Sequence, residues 1–118
     1  MKYGIPDSTW DQAKAEMTAI LSGKAQERAM ITYSDLVGRM TTVSLDPRSF
    51  ALASMLGEIS VEEDAAGRGM LSVIVVHKYG DMQPGNGFYE LAMDLGRTTK
   101  DRVACWVEEL KKVFAYWR

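Results

Sequence analysis

Apolar positions recur along this chain first at helical spacing, then as one unbroken run, then at helical spacing again. Trp10, Ala13, Met17, Ile20 and Leu21 are three or four apart, which predicts a helix over residues 9–21. Ser8 is the expected N-cap, with Asp11 three residues on as an acidic capping-box partner, and Ser22-Gly23 is the expected end. Thr32 is the next cap, answered by Asp35, and opens a short helix over 33–40 with Tyr33, Leu36 and Val37 on one face. Residues 41–45 are rich in β-branched side chains and are expected to be extended. Asp46-Pro47 then marks a third helix, Asp46 as cap and Pro47 at its first position, with Phe50, Ala53, Leu56 and Ile59 as its apolar face and its end before Gly67.

Residues 70–76 form the longest strand-like run, interrupted only by Ser72. A near-continuous run of this kind suits a strand buried on both faces, with Leu71, Val73 and Val75 on one and Ile74 and Val76 on the other. A glycine-rich turn over 80–87, with Pro84 inside it, follows. A fourth helix opens at Asn86 or Gly87, carries Phe88, Leu91, Ala92 and Leu95, and is closed by Gly96. Thr98-x-x-Asp101 reads as a last capping box. The final helix carries Val103, Trp106, Val107, Leu110, Val113, Phe114 and Trp117 at core-like spacing. The pattern predicts an α+β fold, mostly helical, in one domain over 1–118 with a short sheet and a C-terminal helix.

Composition narrows the class. A 47% apolar, 25% charged chain of 118 residues is that of a globular domain able to bury one ordinary core. No apolar run approaches the roughly 20 residues of a membrane span. The N-terminus lacks the apolar stretch of a signal peptide. The lone Cys105 has no internal disulfide partner and is expected as a small buried residue. These features favour the cytoplasm. The net charge of −2 argues against a surface devoted to phosphate backbones, although a local patch can hide within a balanced total.

Three local motifs bear on function. They are Ile31-Thr32-Tyr33-Ser34-Asp35-Leu36, the run Leu71-Ser72-Val73-Ile74-Val75, and His77-Lys78, one residue beyond it; Gly87-Phe88-Tyr89 after the glycine turn is a looser echo. In this order the chain resembles the C-terminal domain of O6-alkylguanine-DNA alkyltransferases and the alkyltransferase-like proteins. The first motif is similar to the family's T-Y-x-x-L-A entry into a DNA-contacting helix. The second is similar to the L-S-I-I-V strand before the active-site P-C-H-R, and His77-Lys78 stands at its H-R. The resemblance covers residues 10–89 and implies a helix-turn-helix with a wing. Val76 stands where the family has its nucleophilic cysteine, Val75 replaces the proline, and Ser54 falls near the position of its arginine finger. A valine cannot accept an alkyl group, so alkyl transfer is excluded. Alkyltransferase-like proteins also lack the cysteine and bind damaged DNA, so the resemblance still allows a binding function.

Charge weighs on that function. In a helix-turn-helix the third helix would enter the major groove. Here it carries Asp46, Glu58, Glu62, Glu63 and Asp64 against the single Arg48. Acids within a Debye length of ~8–10 Å repel phosphates. DNA is therefore disfavoured as a partner relative to a protein or a small ligand. Tyr33, Arg39, Arg48 and Arg68 are the candidate contacts if nucleic acid does bind.

His77 leaves a buried run beside a turn, and Glu58, Lys78, Asp81 and Tyr89 are expected near it. Together they form the candidate binding surface. The alternative is a small hydrolase-like enzyme, with His77 as base, Glu58 as orienting acid and Ser60 or Ser72 as nucleophile. No G-x-S-x-G elbow is present. One histidine and one distant cysteine do not make a zinc site, and Glu62, Glu63 and Asp64 read as a solvated helix end rather than a metal cage. The glycines match neither a Walker loop nor a dinucleotide fingerprint, so no cofactor is expected. The reading the residues favour is a non-enzymatic binding domain.

Overall fold

The computed structural model describes residues 1–78 and 83–118. Five α-helices occur among them: α1 (Asp7–Gln26), α2 (Tyr33–Arg39), α3 (Phe50–Ala65), α4 (Asn86–Asp94) and α5 (Arg102–Tyr116). Strands β1 (Ile31–Thr32) and β2 (Val75–Val76) pair in parallel, Ile31 opposite Val75 and Thr32 opposite Val76. The mostly helical α+β class is as the pattern predicts. None of the described helices is long and apolar enough to cross a membrane.

Helix α1 is longer at both ends than expected. Pro6 precedes it, the Pro6 carbonyl accepts the Trp10 N–H at 2.8 Å, and Ser8 lies inside the helix rather than capping it. At the far end the buried stripe Met17, Leu21, Ala25 runs straight past Gly23, so packing overrides the weak glycine. Helix α2 starts as predicted, with Thr32 Oγ1 accepting the Asp35 N–H at 3.1 Å. Residues 41–45 are a loop, not a strand. Both Thr41 and Thr42 bind the Glu16 carboxylate through N–H and hydroxyl, which ties the loop to α1.

Helix α3 corrects two expectations. Asp46-Pro47 makes a turn before the helix: Asp46 Oδ1 accepts the Arg48 N–H at 2.7 Å, and its carbonyl accepts the Ser49 N–H at 3.0 Å. Ser49 is the cap, its Oγ accepting the Leu52 N–H at 3.2 Å. Phe50 is 83% exposed, and the buried stripe is Leu52, Met55, Leu56, Ile59, Ser60 and Glu63. Steps of three residues fall about 60° short of a helical turn, so three such steps carry Phe50 to the opposite side from Ile59.

The run over 70–76 is buried throughout but is not a strand. Leu71–Ile74 is a 3₁₀ turn, and only Val75 and Val76 join the sheet. The two-face alternation expected for a strand is therefore absent. Among the described residues the only partner strand is two residues long, so the remaining backbone groups find other partners. Met70 N–H donates to Glu109 Oε2 at 2.9 Å, Ser72 N–H donates to Ser60 Oγ at 3.0 Å, and Trp106 Nε1 donates to the Val73 carbonyl at 3.2 Å. The run packs against α1, α3 and α5, at the centre of the core.

Helix α4 ends in a Schellman motif: Gly96 has φ +92°, its N–H donates to Met93, and Arg97 N–H donates back to Ala92. Asp101, not Thr98, caps α5. The buried face of α5 is Cys105, Glu109 and Val113, while Val103 and Val107 are exposed; Trp106, Leu110, Phe114 and Trp117 are only partly covered. Glu109 is 4% exposed and is neutralised by Arg97, which also binds Asp64 of α3. This ion network ties α3, the α4–α5 connection and α5 together.

Candidate functional site

Tyr33 is the first residue of α2, fixed in position by the β1 pairing just before it. His77 follows β2, the partner strand. The two-residue sheet therefore brings both rings to one place, with centroids 5.2 Å apart and planes tilted by 39°. Gly85, which precedes α4, completes the junction: its N–H donates to Tyr33 Oη at 3.0 Å. A Cβ at Gly85 would stand 3.3 Å from Tyr33 Oη and 3.4 Å from His77 Nε2, so a side chain there would press on the Tyr33 hydroxyl and touch the His77 ring. Burial pushes the Tyr33 phenol pKa up, with the Gly85 N–H opposing, so the hydroxyl stays protonated at neutral pH.

These rings edge a groove of about 830 Å³ between the start of α2, the first half of α3 and α4. Leu52, Leu56, Phe88 and Leu91 supply apolar surface, and Arg48, Ser49, Ser72, Lys78, Glu90 and Asp94 supply polar groups. The volume and the mixed lining are those of a small-ligand site. The spacing marks Leu56, Phe88 and Leu91 only as apolar helix faces and passes over Leu52; the contact of α3 with α4 places all four at the groove wall. A second recess, of about 750 Å³, shares His77 and Gly85 with the groove and is otherwise lined by Gln83, Asn86, Tyr89, Lys100, Arg102 and their neighbours.

The expected surface of Glu58, His77, Lys78, Asp81 and Tyr89 is only partly assembled. His77 and Lys78 are exposed and line the groove. Tyr89 is 3% exposed, its Oη donating to Gln83 Oε1 at 2.8 Å, and it borders the second recess instead. Asp81 lies outside the described residues. Glu58 faces the other way, towards α1 and the N-terminus. It accepts from Lys2 Nζ at 2.9 Å, Trp10 Nε1 at 3.1 Å and Lys14 Nζ at 3.2 Å. Partial burial works to raise the Glu58 pKa, and those three hydrogen bonds outweigh it, leaving the carboxyl below the usual value. The hydrolase-like alternative thus loses its orienting acid. Ser60 is fully buried, its Oγ donating to Ser72 Oγ at 2.6 Å, so of the two serines only Ser72 borders the groove.

The four candidate nucleic-acid residues also separate. Tyr33 and Arg48 line the groove. Arg39 pairs with Asp35 along α2 at 3.3 Å. Arg68 lies past the other end of α3, paired with Glu63 and stacked over Tyr116 at 5.9 Å. The 16 residues of α3, roughly 24 Å long, stand between Arg48 and Arg68.

The acids of α3 change meaning in three dimensions. Glu58 and Glu62 bind Lys14, Glu63 binds Arg68 and Asp64 binds Arg97. Each has an internal cation, so the repulsion counted along the sequence is largely cancelled. The groove end of α3 is preceded by Arg48 and by Asp46, whose carboxylate accepts the Arg48 N–H, and Glu90 and Asp94 of α4 also line the groove.

Comparison with protein-family models, with curated proteins and with solved structures finds no match.

Proposed function

We propose that this chain is a non-enzymatic binding domain on an alkyltransferase-like, winged-helix scaffold, and that its ligand occupies the groove edged by Tyr33 and His77. The observation that carries this reading is the groove itself: two rings held by the sheet, an apolar wall from α3 and α4, and Arg48 and Lys78 at its polar margin. Such a lining suits a flat group with an apolar face and a polar edge, including a base presented by DNA. The resemblance to alkyltransferase-like proteins makes alkylated guanine one candidate, beside the free small ligands that the charge of the chain favours over DNA. Val76, 1% exposed, provides no nucleophile, so the ligand is held and released unchanged.

The test is an amide-resonance titration with a short duplex carrying one O6-methylguanine, beside the unmodified duplex and a set of flat heteroaromatic fragments. Saturable shifts at Tyr33, Ser49, His77 and Gly87 are expected with the modified duplex or a fragment. Ala53→Trp, which places a bulky ring on the exposed α3 residue lining the groove, should abolish them. Shifts that avoid these residues for every probe would overturn the reading.

A further inference from the structure

We propose that the second recess, between the starts of α4 and α5, binds a small phosphorylated molecule. Among the described residues, Lys100 and Arg102 both line it, against the single acid Asp101. The Asp101 carboxylate already accepts the Ala104 N–H at 3.1 Å as the cap of α5. The described lining of the recess therefore carries a surplus of positive charge.

Arg102 is oriented before any ligand arrives. Its Nη1 donates to Asn86 Oδ1 at 2.8 Å, and its guanidinium lies 4.7 Å from the centre of the Tyr89 ring. Tyr89 is itself held through Gln83. A planar fork fixed in this way keeps its remaining N–H groups for a bidentate contact, and the entropic cost of ordering it is already met by the fold. Helix α4 adds to the field. No side chain caps its start at Gly85; the Phe88 N–H returns to the Gly85 carbonyl, and the N–H groups of Asn86 and Gly87 form the positive end of the helix.

A dianionic phosphate monoester matches an exposed ammonium, an oriented guanidinium and partial positive charge from backbone N–H groups. A carboxylate would satisfy the fork alone. A nucleic-acid backbone needs a row of cations, whereas these two lie side by side at one recess. The volume of about 750 Å³ leaves room for an organic body behind the phosphate.

The test is an amide and arginine side-chain resonance titration of the full chain with inorganic phosphate and with phenyl phosphate, at constant ionic strength set by chloride. Saturable shifts at Asn86, Asp101 and Arg102, all of which line the recess and not the groove, are expected, tighter for phenyl phosphate than for inorganic phosphate. Arg102→Gln and Lys100→Gln should each raise Kd about tenfold, a factor equivalent to ~1.4 kcal/mol. Lys111→Gln, further along α5, should leave it unchanged. Lys100 has an exposed side chain, so its variant stays folded even if loss of the Arg102–Asn86 contact disturbs α4. Shifts that follow ionic strength whatever the anion, or that survive Lys100→Gln and Arg102→Gln together, overturn the proposal. An oligonucleotide without terminal phosphate that binds more tightly than phenyl phosphate also overturns it. The inference does not rest on the groove: Ala53→Trp should leave the phosphate titration unaltered.

Discussion

The phenol oxygen of Tyr33 accepts the backbone N–H of Gly85 at 3.0 Å, joining two residues 52 positions apart. One side chain at the start of α2 thereby holds the start of α4, and the groove and the second recess meet at this joint. Tyr33→Phe keeps the ring and removes the acceptor. It should cost about 1 kcal/mol, the value of one hydrogen bond with a partly buried partner, and weaken groove ligands. Paired urea unfolding and titration measure both; unchanged values for the two would show that the bond holds nothing.

His77 and Tyr89 should respond differently to truncation. His77 is exposed, so His77→Ala should leave the melting temperature within about 2 °C of the parent while weakening groove binding. Tyr89 is buried, so Tyr89→Ala should lose about 3 kcal/mol, as large-to-small core changes do. Thermal melts of the two variants give the comparison.

Ile74 is completely buried in the 3₁₀ turn at the centre of the core. Ile74→Asp places an unpaired carboxylate there, at a cost of several kcal/mol. Circular dichroism should show an unfolded chain. A cooperative melt near that of the parent would mean the turn can open to water.

Arg97 neutralises Glu109 and Asp64 in the ion network behind the core. Arg97→Met strands the buried Glu109 charge and should destabilise by about 3 kcal/mol. Adding Glu109→Gln removes that charge while keeping an acceptor for Met70 N–H, so the double variant should recover part of the loss. Equal stability of the single and double variants in urea would assign the cost to packing instead.

Acid should unfold the chain in steps that can be traced to single groups. Hydrogen bonds from the Thr41 hydroxyl and the Thr42 and Thr41 backbones hold the Glu16 pKa at about 2, against an ordinary 4.5. The Arg97 guanidinium likewise holds Asp64 below its ordinary value. A depressed carboxylate contributes stability that is complete above its unfolded pKa and lost as pH falls through the folded one. For Glu16 the loss therefore runs from about pH 4.5 to about pH 2. Glu16→Gln should flatten the fall of melting temperature over that window; an unchanged acid limb would show that the threonine bonds do not persist in solution.

Much of the secondary structure was legible in the chain because it depends on local chemistry. Thr32 with Asp35 opens α2, Gly96 closes α4, and the helical spacing from Trp10 to Leu21 lies in α1, each needing only neighbours a turn away. Burial of residues 70–76 was legible too, since an unbroken apolar run must be covered. Their conformation was not. A strand and a 3₁₀ turn bury the same side chains, and the choice fell to distant partners: Ser60, Glu109 and Trp106 satisfy backbone groups that no strand was there to receive. The candidate site divides in the same way. His77 and Lys78 were found because they mark where the buried run meets solvent. Tyr33 and Arg48 reach them only through the β1–β2 pairing and the packing of α3 against α4, and Glu58 leaves them because α1 brings Trp10 and Lys14 to it and the N-terminal arm brings Lys2. Spacing along a helix fixes a direction relative to that helix alone. Which neighbour lies in that direction, and whether a charge meets a partner or a ligand there, is decided by how the helices pack.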